Sequence, residues 1–102
     1  MFIDTRNYST DSASDYNTMD IDDQRKLLIW IRSNVLSRKT PNRMHTSYGM
    51  KHVFERLTGI YVTNGQFKGA MQVLGFLPVN VQDRNWCFRI SERSPAFALR
   101  EG

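Results

Sequence analysis

The chain has a single cysteine, Cys87, among its 102 residues, so no disulfide can form within it. That excludes the small disulfide-stapled scaffolds of secreted proteins and fits a reducing compartment. No apolar run approaches the roughly 20 residues that a membrane-spanning helix needs. The leading stretch MFIDTRNYSTD lacks the basic start and apolar core of a signal peptide. A soluble, intracellular protein without membrane contact is therefore expected. Histidine is scarce too. His45 and His52 have no second cysteine or carboxylate close by in sequence, so no metal set is expected. Past residue 23 acids are few, and Glu55 is the only one between residues 24 and 82. A paired-carboxylate site would have to recruit it with Asp83 or Glu92, and nothing in the spacing suggests that. The glycines are scattered, with no phosphate-loop pattern. Cys87 falls in an expected strand and reads as a small core or flank residue rather than a nucleophile. These absences leave no catalytic residue and no cofactor to assign. The chain is expected to act by binding, not as an enzyme.

What it does have is positive charge, unevenly spread. Residues 1–23 hold six aspartates against Arg6 and so carry −5, while residues 24–102 hold thirteen basic and four acidic residues and so carry +9. A basic body attracts polyanions. Ten of the fourteen cations are arginine, which favours bidentate contact with phosphate, carboxylate or guanine. The plainer alternative is a merely soluble basic surface.

The length fits one domain. Residues 1–19 are polar and read as a flexible or loosely docked acidic arm. A first helix is expected from about Asp20 to Arg38. Thr18 or Asp20 would cap it, with Asp22 and Asp23 in its first turn and Leu28, Ile31 and Val35 as its apolar stripe. Pro41 breaks the stretch from Lys39 to His45. A second helix is expected over 47–58, with Gly49 permitting close packing and Gly59 ending it in the left-handed conformation. Residues 60–63 read as an extended segment or a short strand. A third helix, about 65–74, carries the stripe Phe67, Ala70, Met71 and Leu74 and closes on Gly75-Phe76. After Pro78 the period becomes two. Val79 and Val81, then Trp86, Phe88 and Ile90, suggest a hairpin turning at 82–85. Residues 92–102 are a tail that either docks or stays free. The expected fold is thus α+β, mostly helical, with three helices and a C-terminal β-hairpin over 20–91, in the order of a winged helix-turn-helix.

On such a body the third helix would offer Asn64, Gln66, Lys68 and Gln72 to a groove, the amides suiting an adenine edge and the lysine a phosphate or guanine. A solvated helix face would look the same. Ser47 and Lys51 stand at the start of the second helix, where amides and hydroxyls bind phosphate, although capping alone explains the serine. Arg38, Lys39 and Arg43 form a basic loop, and Arg84 and Arg89 sit on the expected hairpin. Tyr48, Tyr61 and Trp86 read as core or half-core rather than as base-stacking groups.

The stretches Thr46-Ser47-Tyr48-Gly49-Met50-Lys51-His52 and Tyr61-Val62-Thr63-Asn64-Gly65-Gln66-Phe67, then Ala70-Met71 and Gly75-Phe76, carry a resemblance. They are similar to a winged-helix-like module in small proteins of phages and integrated mobile elements, over residues 46–90. The resemblance implies a mobile-element origin, the cytoplasm of a bacterial host as location, and no catalytic residues. Double-stranded DNA is the expected partner, bound by an accessory or regulatory protein, with a homodimer paired through the first helix compatible with that role. The alternative is a protein-targeted inhibitor of host defence, such as an anti-CRISPR protein acting on a CRISPR effector nuclease or its guide complex.

Overall fold

The computed structural model describes residues 11–99 and is an α+β fold. A 3₁₀ helix, Ala13–Thr18, precedes α1 (Ile21–Asn34), β1 (Ser37–Thr46), α2 (Ser47–Thr58), α3 (Asn64–Val73), β2 (Cys87–Ile90) and α4 (Pro95–Leu99). Leu27, Ile31, Met50, Phe54, Val62, Phe67, Met71, Trp86, Phe88 and Ile90 meet in one core. No helix of the described residues is long and apolar enough to cross a membrane.

Local signals place α2 and α3. The Thr46 hydroxyl accepts from the Gly49 amide, and Gly59 ends α2 at φ 76°, in the left-handed region. Thr63 and Gln66 close a reciprocal capping box on α3. At its other end Gly75 has φ 91°, and the Phe76 amide returns to the Met71 carbonyl as the expected Schellman-type stop requires.

The first helix is shorter than its charge pattern suggests. It stops at Asn34, because buried Val35 turns extended and the next residue joins the C-terminal segment. The Leu36 amide donates to Ser94 Oγ, and its carbonyl accepts from the Ser91 amide. The chain then continues as a strand and not as a loop. β1 pairs antiparallel with β2 through Ser37–Ile90, Asn42–Phe88 and Thr46–Cys87, so five steps along β1 answer to two along β2, and then four answer to one. Bulges absorb the surplus residues. Pro41 sits in the first bulge, where no ladder amide is needed. Asn42 is fully buried, and its side-chain amide donates to the Ile90 carbonyl where the ladder is irregular.

The expected C-terminal hairpin does not form. The strand partner of 87–90 is β1, far upstream, with Thr46 paired to Cys87 and Ser37 to Ile90, and the Pro78–Phe88 bridge is all that remains of the local pairing. Residues 60–63 form no strand. The tail docks through α4, burying Ala96 and Phe97, and the Phe97 ring stacks on His45 at 3.5 Å.

The arm expected over 1–19 is corrected over the described part, and residues 1–10 lie outside the described residues. Residues 11–18 are a strap bound to α3, with Asp11, Ala13 and Tyr16 buried. Two glycines make room for it. A Cβ on Gly65 would stand 2.3 Å from the Ser12 carbonyl oxygen, and one on Gly69 would stand 2.3 Å from that of Ala13. Gly49, the glycine expected to permit close packing, has nothing nearer its Cβ position than Thr46 Oγ1 at 3.7 Å.

Candidate nucleic-acid interface

Two regions gather the residues of interest. The first is a polar cleft at the start of α2 and α3, lined by Asp11, Tyr48, Lys51, His52, Tyr61, Thr63, Asn64, Arg84 and Asn85. Asn64 is its structural centre. It is buried, and its side-chain nitrogen donates to Asp11 Oδ1 at 2.8 Å, to Asn85 Oδ1 at 3.0 Å and to the Arg84 carbonyl at 3.1 Å. Its oxygen accepts from Ser47 Oγ at 2.7 Å, and that hydroxyl in turn accepts from the Trp86 amide. Arg84 Nε donates to Asp11 Oδ2 at 2.8 Å, and Lys68 Nζ donates to the Asp11 carbonyl while lying 4.7 Å from the Trp86 ring centre. Burial pushes the Asp11 carboxyl up, but the hydrogen bonds from Asn64 and Arg84 and the charges of Arg84 and Lys68 together hold it below its ordinary value.

The other wall of the cleft is organised by Glu55. One carboxylate oxygen accepts from Lys51 Nζ at 3.1 Å and from the Val62 amide at 3.0 Å, and the other meets His52 Nδ1 at 3.1 Å. Glu55 thereby ties α2 to the turn that leads into α3. The buried Lys51 ammonium lies 5.3 Å from the Tyr48 ring centre and 5.2 Å from that of Tyr61. Neither tyrosine is core, as Tyr48 is 48% and Tyr61 72% exposed.

The second region is the bulged two-stranded ribbon. Arg38, Lys39 and Arg43 are exposed along β1, and Arg89 is exposed on β2 between the residues that pair with Ser37 and Asn42. Arg38 folds over its own bulge, donating to the Thr40 and Pro41 carbonyls. The nearby acid Glu92 is engaged inward, accepting from Asn42 Nδ2 at 2.7 Å and meeting His45 Nε2 at 2.9 Å. Those two hydrogen bonds, Asn42's first, and the nearby charge of Arg38 together hold its carboxyl below the ordinary value. Burial pushes the Cys87 thiol up, against the opposing charge of Arg43, which disfavours a thiolate there.

The expected site residues therefore divide. Ser47, Lys51, Asn64 and Arg84 do come together around one cleft, but their groups are engaged internally: Ser47 with Asn64, Asn64 with the Arg84 carbonyl, the Arg84 side chain with Asp11, and Lys51 with Glu55. Ser47, Lys51, Asn64 and Lys68 are all buried, and on the face of α3 expected to enter a groove Asn64 and Lys68 are tied to Asp11 of the strap. Gln66 serves the capping box and donates to Thr18 Oγ1, and Gln72 is half-buried near the end of α3. The ribbon cations Arg38, Lys39, Arg43 and Arg89 remain outward. Tyr48, Tyr61 and His52 are site residues that sequence reasoning missed, although all three lie in the stretches that carry the resemblance, because exposure of an aromatic is not written in local sequence. Among the described residues no three His, Cys, Asp or Glu side chains gather as a metal set. No protein family, curated protein or solved structure matches this chain.

Proposed function

We propose that the chain is a non-catalytic DNA-binding accessory or regulatory protein of a phage or mobile element, gripping the duplex backbone with its β ribbon. The observation behind this reading is the exposed set Arg38, Lys39, Arg43 and Arg89, beside one half-exposed acid, Glu92, that bonds Asn42 and His45 and also feels the charge of Arg38. Arginine and lysine on an irregular ribbon suit sequence-independent phosphate contacts. A winged-helix docking that lays α3 in a groove is less well supported, since Asn64 and Lys68 are buried under the strap.

The test is binding to a random duplex at low and higher salt. Affinity should fall steeply with salt, and Arg38→Ala with Arg43→Ala should flatten the slope by about one per cation removed. No affinity at low salt, or affinity indifferent to salt, overturns the reading.

A second reading, an inhibitor of a host-defence protein such as a CRISPR effector, is favoured by a separate observation. Exposed Leu36 and Val73 border a groove of about 540 Å³ with Val35, Leu74, Phe76 and Arg32, and apolar surface of that kind suits a protein partner. It requires a stable complex with an effector nuclease or its guide complex, one that Leu36→Asp abolishes.

A further inference from the structure

We infer that the Tyr48–Tyr61 cleft is a second nucleic-acid site, one that holds a single unstacked base of a single strand, with the adjoining phosphate at Arg84. The inference extends the polyanion reading above to a different surface and a different ligand form.

The cleft encloses about 490 Å³, within the range of small-ligand pockets. Its two tyrosines stand in solvent, where aromatic surface gains nothing by itself, yet they are not loose. Both rings flank Lys51 Nζ, and the Tyr48 ring is braced edge-on by His52 at 4.5 Å. Two braced and exposed rings around one floor are a stacking platform, and stacking accepts every base because every base has a π face.

Charge favours a base over a bare anion as the occupant. Lys51 is paired with Glu55, and Arg84 with Asp11. Lys68 also points at Asp11, so three cations meet two acids here, a surplus of one that suits a single phosphodiester but not a multiply charged ion. Thr63, Asn85 and Lys51 also line the cleft, held by bonds to Gln66, Asn64 and Glu55, and they present polar groups to the edge of a neutral ring. Arg84 is anchored through Nε, but its side chain remains 64% exposed at the rim. A guanidinium so held meets a backbone phosphate with little ordering cost. Bases inside a duplex cannot reach such a cleft without leaving the stack, so a single strand is the expected form.

The experiment titrates labelled oligothymidylate of about ten residues, a length within the usual single-strand site sizes, against the full chain, alongside a duplex of the same length. The variants are Tyr61→Ala, Tyr61→Phe and the double change Arg38→Ala with Arg43→Ala. Tyr61 is 72% exposed, so its truncation leaves the core intact, and a thermal melt checks this. Tyr61→Ala should weaken single-strand binding about tenfold or more while leaving duplex binding unchanged, and Tyr61→Phe should restore it to within about twofold. Equal loss on both ligands, no loss on either, or wild-type chain that ignores the single strand would overturn the cleft site. Duplex binding that depends on Arg38 and Arg43 while the single strand is ignored removes the cleft site alone. Tyr61-dependent single-strand binding with no duplex affinity removes the ribbon reading and keeps the cleft. A cleft that instead takes a peptide shows itself as no oligonucleotide binding sensitive to Tyr61.

Discussion

The strap side and the ribbon side carry the same types of basic residue, turned in opposite directions. Under the strap, Lys68 and Arg84 point to Asp11, and Asn64 completes the set, so positive charge there holds the chain to itself. On the ribbon, Lys39, Arg43 and Arg89 face solvent. The net +4 is the same whichever way they face. Charge alone therefore says little about a binding surface until each cation's partner is known. Lys68→Ala, attractive as a test of DNA contact from the sequence, instead removes a buried donor and leaves the Asp11 carbonyl without it.

The sharpest way to break the comparison is to force the strap off α3. Gly69→Ala would place a Cβ 2.3 Å from the Ala13 oxygen and 2.5 Å from Tyr16 Cβ. Alanine's better helix propensity, worth about 1 kcal/mol, cannot offset an overlap with backbone. We expect a net loss of about 3 kcal/mol, read as a lower midpoint in urea. Gly49→Ala is the control, and it should be neutral or stabilising by up to about 1 kcal/mol. A Gly69→Ala chain as stable as the parent would mean that the strap is not a fixed wall of the fold.

That contrast also marks what could be read in advance. α2 was legible to the residue because both of its ends are local chemistry, Thr46 before it and Gly59 after. α3 was legible to within a residue for the same reason. β1 was not, because a strand with two bulges and a proline shows no alternation. The hairpin was misassigned because 82–85 looks like a turn, whereas the true partner of β2 is distant in sequence and nothing local names it. The strap was hidden in another element. Its signal is the pair Gly65 and Gly69, one turn apart on α3, and only the approach of Ser12 and Ala13 gives those glycines meaning. Of the cleft, Ser47, Lys51, Asn64 and Arg84 were legible as residue types, but not their inward direction.

A gentler probe is pH. The Asp11 carboxyl titrates below its ordinary value of 3.8, so the folded chain keeps a carboxylate where the unfolded chain takes up a proton. Its contribution to stability is complete above that ordinary value and is lost as pH falls through the lowered one. Glu92, with an ordinary value of 4.5, acts in the same sense from the ribbon side. The parent should therefore lose stability progressively below about pH 4.5. Asp11→Asn should be less stable at neutral pH and should show a shallower decline in acid, with the Glu92 part remaining. An acid limb of unchanged slope in that variant would separate Asp11 from the strap's hold.

The smallest expected effect is the one that completes the contrast. Replacing Lys39 and Arg89 with alanine removes two exposed cations that form no ion pair within the usual contact limit among the described residues. Surface changes of this kind stay within about 0.5 kcal/mol. Relief of like-charge repulsion on the ribbon can even make the sign favourable. The urea midpoint should then hardly move while the salt dependence of duplex binding flattens. The strap variants should show the reverse, a large fall in stability with the outward cations unchanged. A ribbon variant that unfolds as readily as Gly69→Ala would show that these cations also hold the chain together, and the distinction between inward and outward charge would fail.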